Sequence, residues 1–265
     1  RLFDLNRSEF SLEARDENIP ESCSIWPHEF GKIPLYNDGD AGIQIRDLFN
    51  GRLALDVEDL GEIISWAFTF DNRYLIASSE NQITFLIDLE SEKIVHSWIR
   101  LRCTFLLTSS EPNSDYFLAI QDDGSILQVN ISSPFQVIKR IPNLKNSKSE
   151  VSSAYLDNER LLLGFNDSSL YYFSNWKEYP EPTRIFRGHK CTKFKVSAIL
   201  SRFNRNLLIS CSENGSIYIW NIESGRLIYE IPLHDAPVND LIELEDSKTF
   251  LSCGDDKKLI EWKLK

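Results

Sequence analysis

Short apolar runs separated by polar turns follow one another along the whole chain at a nearly constant spacing. Each unit contains an apolar run that stops at a comparable position, and these positions are Asp4, Asp47, Asp88, Asn130, Ser174, Asn221 and Lys263. The steps between them are 43, 41, 42, 44, 47 and 42 residues. Runs of this length, rich in β-branched and aromatic residues, predict β-strands. The repeat therefore predicts an all-β chain of small antiparallel sheets, one for each unit.

The last two units show the strands most clearly. In the first of them we predict strands at Lys195 to Ser201, Asn206 to Ser212, Ser216 to Asn221 and Arg226 to Ile231. In the second we predict strands at Val238 to Leu244, Thr249 to Cys253 and Leu259 to Trp262. Turn sequences such as Glu213-Asn214-Gly215 separate the second strand from the third. Earlier third strands are expected at Ile43 to Leu48, Ile83 to Leu89, Ser125 to Ile131 and Ser169 to Phe173.

The period divides the chain into one domain, 1–265, with successive units at 1–19, 20–59, 60–100, 101–144, 145–189, 190–234 and 235–265. The first unit has only two expected strands, Arg1 to Leu5 and Phe10 to Ala14, and the last unit has three. Sheets that repeat in this way can close into a ring in which each sheet forms one blade. Closure of such a ring would remove unpaired sheet edges. We favour a ring of seven blades, with the rest of the first blade lying upstream of Arg1. The alternative is a six-bladed ring closed by Phe10 to Ala14.

Two sequence motifs give the chain a family resemblance. Gly188-His189 matches the Gly-His pair of WD40 repeats, and Trp220-Asn221 matches their Trp-Asp pair with Asn substituted. The chain therefore resembles the WD40-repeat family, which implies a β-propeller. The resemblance also implies two buried tetrads, whose members are His189, Ser210, Asn214 and Trp220 in one unit, and His234, Ser252, Asp256 and Trp262 in the next.

Each tetrad is expected to be structural. A buried imidazole, hydroxyl and indole N–H must all find hydrogen-bond partners, so they are used to hold strands together. The motifs of nucleotide-binding loops, serine hydrolases and zinc proteases are missing from the sequence. We therefore expect no catalytic residues, no cofactor, no metal site and no enzymatic activity.

Net charge and cysteine content indicate which classes of partner and which cellular compartment to expect. The formal net charge is −11 and the sequence pI is about 4.9, which argues against direct nucleic-acid binding. The five cysteines lack a C-x-x-C pair, and Cys103, Cys211 and Cys253 fall in expected strands. Such thiols are typical of a reducing compartment, the nucleus or the cytoplasm. No segment has the length of apolar sequence that a membrane helix needs.

Two links between consecutive units are locally basic. One carries Lys139, Arg140, Lys145 and Lys148, and the other carries Arg187, Lys190, Lys193 and Lys195. In a propeller both links emerge on one face, so they could form one patch for an acidic or phosphorylated segment. Acidic residues occupy the two earliest links, at Glu13, Asp16, Glu17, Glu21, Asp56, Glu58, Asp59 and Glu62. The alternative is that all of these are ordinary solvated loops.

The resemblance implies a non-catalytic scaffold or recognition subunit of a multiprotein complex. One alternative is a chromatin- or RNA-associated reader that uses the basic links. A ubiquitin-ligase substrate receptor that docks through an Arg two residues beyond the Trp-Asp pair is disfavoured. The corresponding residues compared are Asn6, Phe49, Glu90, Glu223 and Lys265, and none of them is Arg. A propeller enzyme is a further alternative, and it would need shifted carboxylates or histidines at the channel mouth.

Overall fold

The structure is a computed structural model that describes residues 2–3, 12–14, 32–37, 42–47, 53–109, 111, 114–143, 149–244 and 248–264. Within these ranges the chain forms β-strands and no helix. It follows that none of the described residues belongs to a helix long and apolar enough to cross a membrane.

The described strands form antiparallel sheets that follow one another in chain order. The first sheet contains β1 (Leu2–Phe3) and β2 (Leu12–Ala14). The second contains β3 (Lys32–Asn37), β4 (Gly42–Asp47) and β5 (Leu53–Val57). The third contains β6 (Ile63–Phe68), β7 (Tyr74–Ser79), β8 (Ile83–Asp88) and β9 (Lys93–Ile99).

The fourth sheet contains β10 (Phe105–Thr108), β11 (Tyr116–Ile120), β12 (Ile126–Asn130) and β13 (Val137–Ile141). The fifth contains β14 (Val151–Asp157), β15 (Arg160–Phe165), β16 (Ser169–Phe173) and β17 (Arg184–Arg187). The sixth contains β18 (Ala198–Leu200), β19 (Leu207–Ser210), β20 (Ser216–Asn221) and β21 (Leu227–Pro232). The seventh contains β22 (Val238–Glu243), β23 (Thr249–Gly254) and β24 (Leu259–Lys263).

Neighbouring sheets meet through their first strands. β6 contacts β10, β10 contacts β14, β14 contacts β18, and β18 contacts β22. Between the last two, the N–H of Ser197 donates to the carbonyl of Asn239 at 3.0 Å. This succession of sheets around inner first strands is the propeller architecture that the sequence predicts. The division into seven blades, and the closure of the ring, stay predictions.

The up-and-down order of the strands gives the molecule two distinct faces. The turns from second to third strand and the links between sheets lie at one end of the strands, which we call the upper face. The turns from first to second strand and from third to fourth strand lie at the other end, the lower face. Residues far apart in the sequence, such as 190–195 and 213–215, are therefore brought to the same face.

The core lies between the sheets. One cluster joins Leu162, Leu170 and Phe186 of the fifth sheet to Leu208 and Trp220 of the sixth. Period-two alternation alone would expose one side of each strand, but β11, β15 and β16 are buried along their whole length. They are buried because each inner sheet is covered on both faces by its neighbours.

Most predicted strands are confirmed to within about two residues of their observed ends. The first strand of the sixth sheet is a correction: the sequence predicts Lys195 to Ser201, but β18 begins at Ala198. The preceding residues form a loop that a side chain holds in place, as described below. Cys103 and Cys211 are further corrections, since they lie just outside β10 and β19, whereas Cys253 lies within β23. The Cys103 N–H donates to Ser78 Oγ of the neighbouring sheet instead of joining a ladder.

Candidate interaction surface

The link between β17 and β18 carries a run of cations on the upper face, and we call residues 187–195 the basic loop. Arg187 is the last residue of β17, which corrects its predicted place in the link. Its shape is set by Glu213, whose side chain is only 3% exposed. The Glu213 carboxylate accepts hydrogen bonds from the backbone N–H groups of Thr192, Lys193 and Phe194, the last at 3.0 Å. It also accepts one from the Thr192 hydroxyl at 3.0 Å.

This arrangement explains the ionisation of Glu213. Burial by itself raises the pKa of the carboxyl group, but the hydrogen bonds from Lys193, Phe194 and Thr192 lower it more. The resulting pKa is about 2, so the group is an anion at neutral pH. A buried anion surrounded by backbone donors fixes the loop conformation and leaves the lysine side chains free to point into solvent.

The cations of the basic loop face outward. Arg187, Lys190, Lys193 and Lys195 are all exposed. Phe194 between them is 49% exposed, an apolar side chain in the middle of a charged surface. The Lys190 ammonium lies 3.9 Å from the Glu213 carboxylate, while Lys193 makes no ion pair with any described residue. Exposed ion pairs of this length contribute little to stability, so the charges of Lys190 and Lys193 stay largely uncompensated within the molecule.

Beside the basic loop lies a cavity of about 400 Å³, which is lined by residues in or next to the first strands of the third to seventh sheets. Lys195 lines it, and its ammonium lies 5.8 Å from the centre of the Phe105 ring. Trp66, Asn239 and Asp240 also line the cavity. The basic loop therefore adjoins a concave space with both apolar and polar walls.

The other predicted basic link is different in the structure. Lys139 and Arg140 lie in the outer strand β13 and not in the link, which is a correction. Lys139 Nζ donates to the carbonyls of Trp176 at 3.2 Å and Lys177 at 2.5 Å, so it is used within the molecule. Arg140 is exposed. Lys145 and Lys148 lie outside the described residues.

The predicted acidic residues are described only in part. Glu58, Asp59 and Glu62 are exposed in the link between the second and third sheets. Asp56 is exposed too, but it lies in β5 and not in the link, which is a correction. Glu13 lies in β2. Asp16, Glu17 and Glu21 lie outside the described residues.

The structure brings together three members of the predicted His234 tetrad. The His234 ring is buried, with Nδ1 3.0 Å from the Asp256 carboxylate and Nε2 2.9 Å from Ser252 Oγ. Burial raises the pKa of Asp256, but the hydrogen bonds from His234 and from the backbone of Lys258 and Asp235 lower it more, to about 2. Trp262 stacks on Phe250 at 4.5 Å, and its Nε1 has no hydrogen-bond partner among the described residues.

The predicted His189 tetrad does not form a hydrogen-bonded set. Among the described residues, His189 Nδ1 has no hydrogen-bond partner, and Ser210 Oγ donates to the Cys211 carbonyl. Asn214 donates from Nδ2 to Tyr218 Oη at 2.9 Å instead of holding the histidine. An amide in place of a carboxylate explains the difference, since it gives the imidazole no charged acceptor. Burial, opposed by Asp167 and Glu213, lowers the pKa of His189 to about 4.

Sequence comparison identifies the repeat. The sequence model of the family "WD domain, G-beta repeat" matches residues 180–221 and 225–263, which contain both predicted tetrads. Residues 180–221 and 225–263 are therefore WD40 repeats. A WD40 propeller is generally an interaction module and not a catalytic one, which agrees with a surface whose most prominent feature is an exposed, rigid loop.

Several curated proteins are similar to the chain at low identity. The WD repeat-containing protein 26 homolog of Arabidopsis thaliana is 26% identical over 128 residues, covering 46% of this chain and 22% of the relative. Apoptotic protease-activating factor 1 of Homo sapiens is 24% identical over 260 residues, covering 88% and 18% respectively. Autophagy-related protein 16 of Arabidopsis thaliana is 22% identical over 254 residues, covering 91% and 40%. The chain thus spans less than half the length of these relatives.

The fold is shared with a propeller chain in the crystal structure of the mitotic checkpoint complex. The TM-score is 0.73 at 18% identity, and the match covers 97% of this chain and 84% of that chain. At this identity the likeness shows the fold alone.

The sequence pattern did not reveal the role of Glu213. It precedes Asn214-Gly215, where an acidic residue reads as an ordinary turn residue. Its partners lie about twenty positions upstream, and only the link between sheets brings them within reach. One signal in the sequence could have indicated this role. Glu213 is an acidic residue in a turn between the second and third strands, and such turns lie on the same face as the lysine-rich link.

Proposed function

We propose that this WD40 propeller is a non-catalytic scaffold subunit that binds an acidic or phosphorylated protein segment at the basic loop. The observation that carries the proposal is the Glu213 carboxylate, which fixes the backbone of Thr192, Lys193 and Phe194. A loop that is fixed before binding loses little conformational entropy when a partner docks. The attraction between its charges and the partner is therefore opposed by a smaller entropic cost.

The charge pattern supports this partner chemistry. The chain as a whole carries −11, yet Arg187, Lys190, Lys193 and Lys195 are grouped within nine residues. A local cationic surface on an anionic molecule favours a partner whose negative charge is confined to a short segment. Phe194 adds an apolar contact, so the preferred segment carries an apolar or aromatic residue next to its acids.

A chromatin- or RNA-associated reader is the second candidate, and the same loop favours it, because phosphates also bind lysine. The overall charge opposes it, since a long polyanion would meet the acidic remainder of the surface. We propose a location in the nucleus or the cytoplasm, where the free thiols of Cys103, Cys191, Cys211 and Cys253 stay reduced.

Charge reversal with a matched control tests the proposal. The test variant carries Lys190→Glu, Lys193→Glu and Lys195→Glu. The control carries Arg73→Glu, Lys93→Glu and Lys263→Glu, three exposed residues on the lower face, in or next to strands of the third and seventh sheets. Both variants change the net charge equally. Each is purified from cells with its partners, which are identified by mass spectrometry, after thermal unfolding has shown that both variants fold.

The proposal predicts that a defined set of protein partners is lost from the test variant and kept by the control. If both variants keep the same partners, the basic loop is not the docking surface. If the material lost is nucleic acid, and nuclease treatment of the unmodified chain removes the same partners, the reader function replaces the scaffold function.

A further inference from the structure

A groove on the lower face, opposite the basic loop, lies between the fifth and sixth sheets. Its volume is about 380 Å³. We call it the lower groove, and it is lined by Tyr172, Ser174, Thr183, Arg184, Arg205, Asn206, Ile222 and Glu223. These residues come from the end of β16, the start of β17 and two turns of the sixth sheet.

The lower groove has an apolar floor and cationic walls. Tyr172 and Ile222 are 6% and 8% exposed and belong to the core between the two sheets. Arg184 of the fifth sheet and Arg205, in the turn between β18 and β19 of the sixth sheet, both line the groove. Two guanidinium groups above an apolar base suit an anion that is carried on an apolar stem.

Arg184 is held in place before any ligand arrives. Its Nη2 donates to the carbonyl of Glu223 at 2.9 Å, across the boundary between the sheets. The guanidinium lies against Gly225, where a methyl group would be only 2.5 Å from Nη1. Gly225 has φ +72°, so both its backbone conformation and its lack of a side chain favour this contact. The other N–H donors of Arg184 remain available on the side that lines the groove.

The opposite wall is also fixed, but its cation is unpaired. Arg160, which is 6% exposed, donates from Nη1 to the carbonyl of Arg205 at 2.8 Å. Asn206 Oδ1 accepts from the N–H of Glu223 at 2.8 Å. The Arg205 side chain is exposed and forms no ion pair with any described residue. The backbone of this wall is therefore rigid, while its guanidinium can turn towards a ligand.

We propose that the lower groove binds a phosphorylated side chain of a partner protein, with the phosphate between Arg184 and Arg205 and the apolar part of the residue on Tyr172 and Ile222. The hydroxyls of Ser174 and Thr183, which lie 2.8 Å apart, add polar contacts at the rim. This site is separate from the basic loop and does not rest on the function proposed for it. Two sites on opposite faces would let one propeller hold two partners.

The charges around the lower groove favour a peptide over a membrane lipid. Glu223 lies at the groove with an exposed side chain, and the whole chain carries −11. An anionic bilayer presents many charges at once and would be repelled by this surface. A single phosphate on a peptide meets two arginines and one carboxylate at the groove, so the nearby charge still attracts it.

The smallest suitable probe is phenyl phosphate, which combines a phosphate monoester with an apolar ring. Its binding is followed by the NMR shifts of the arginine Nε–H groups, with inorganic phosphate and benzyl alcohol as half-probes. The variants are Arg205→Gln, which removes the unpaired cation, and Glu223→Gln, which removes the nearby anion. Lys93→Gln on β9 is the matched control for a lost surface cation.

We expect phenyl phosphate to shift the Nε–H signals of Arg184 and Arg205 and to bind more tightly than either half-probe. Arg205→Gln should weaken binding by about tenfold, the loss of one charge-assisted contact. Glu223→Gln should tighten it by about threefold, since a neighbouring like charge is removed. Lys93→Gln should leave it unchanged.

Equal binding by the chain and by Arg205→Gln would overturn the proposal, as would a signal that inorganic phosphate alone reproduces in full. Sedimentation with phosphatidylcholine vesicles containing a phosphoinositide tests the other source of phosphate. Vesicle binding that disappears in Arg205→Gln would replace the peptide with a membrane lipid. If phenyl phosphate no longer binds the variant with Lys190→Glu, Lys193→Glu and Lys195→Glu, its binding site lies on the upper face instead.

Discussion

At the scale of single residues, one buried carboxylate controls the surface to which we assign binding. The Glu213 carboxylate accepts three backbone N–H bonds and one hydroxyl bond from the basic loop, so it acts as an internal cap for a segment that has no sheet partners. Hydrogen bonds to a charged acceptor are stronger than neutral ones. The loop should therefore depend on the charge of Glu213 and not only on its shape.

Glu213→Gln tests this dependence while preserving the size of the side chain. The neutral amide is a weaker acceptor and brings its own N–H groups towards backbone donors, so the loop should open more often. Hydrogen exchange at the amides of Thr192, Lys193 and Phe194 should accelerate at least tenfold. A tenfold change corresponds to a decrease of about 1.4 kcal/mol in the free energy of opening the loop. Glu261→Gln, at an exposed strand position, is the control and should leave these amides unchanged. Equal protection in the two variants would show that the loop does not rely on the Glu213 charge.

The same carboxylate predicts a response to acid. Its folded pKa of about 2 lies below the ordinary value of 4.5, so the folded state binds fewer protons between these values. The stabilisation is complete above pH 4.5 and is lost as the pH falls towards 2. Protection of the loop amides should fall over this range in the unmodified chain. In Glu213→Gln the protection should be low throughout and nearly independent of pH, and a matching pH dependence in that variant would contradict the assignment.

His189 predicts a separate pH dependence at milder acidity. Its folded pKa of about 4 is below the ordinary 6.5, because burial without an acceptor disfavours the imidazolium. Stability should therefore be complete above pH 6.5 and fall by about 3 kcal/mol as the pH drops to 4. His189→Phe should remove this slope, since the ring can keep the edge contact with Trp220. Urea unfolding at several pH values measures it, and an unchanged slope in the variant would assign the effect to another group.

At the scale of elements, the turns between second and third strands place the upper-face residues. Gly215 and Lys257 occupy the same position in the turns of the sixth and seventh sheets, with φ +82° and +64°. A methyl group at Gly215 would lie 2.2 Å from the carbonyl oxygen of His234. The turn of one sheet therefore packs directly against the link to the next, and only glycine leaves room for this.

Gly215→Ala should destabilise the fold by about 2 kcal/mol or more, because it adds both backbone strain and a steric clash. Lys257→Gly is the matched control at the equivalent turn position. It relieves the left-handed strain of Lys257 at the cost of chain entropy, so its effect should stay within about 1 kcal/mol. Chemical denaturation measures both. Equal losses would mean that the contact with His234 does not distinguish the two turns.

The strands were predictable from the sequence, because alternation and period are local properties. Ser216 to Asn221 was predicted at its observed bounds, and most others shifted by only one or two residues. The start of β18 was missed because Lys195 to Ser197 has a strand-like sequence, and the anchoring acceptor Glu213 is distant in the chain. Lys139 was assigned to a link because charge suggested a loop, whereas its long stem lies along β13 and its ammonium caps two carbonyls.

The candidate sites were only partly predictable for the same reason. The cations of the basic loop could be read from the sequence, and so could His234, Ser252 and Asp256, which the structure joins by hydrogen bonds. The lower groove could not be predicted from the sequence, since Arg184 and Arg205 come to line one groove only through the packing of two sheets. The sequence also does not reveal that Asn214 leaves His189 without a hydrogen bond, because the competing partner of the Asn214 amide, Tyr218, is known only from the structure.

At the scale of the whole molecule, the two faces carry different chemistry on one framework. The upper face presents a fixed cationic loop beside a cavity, and the lower face presents a groove with two arginines. Sheets that are covered on both sides resist deformation, so the faces keep a constant separation. Such an arrangement suits a protein that holds partners in a defined relation and performs no chemistry of its own.

The central claim is that a protein partner docks on the basic loop, and site-directed photo-crosslinking measures this location directly. Position 194 is replaced by p-benzoylphenylalanine, since Phe194 is 49% exposed between the lysines. Ile94 on β9, which is 43% exposed, receives the same replacement as the control. After irradiation in cells, crosslinked peptides are identified by mass spectrometry. We predict a crosslink from position 194 to an acidic or phosphorylated protein segment and none to that segment from position 94. A partner captured from position 94 but not from 194, or a captured segment without negative charge, would contradict the account.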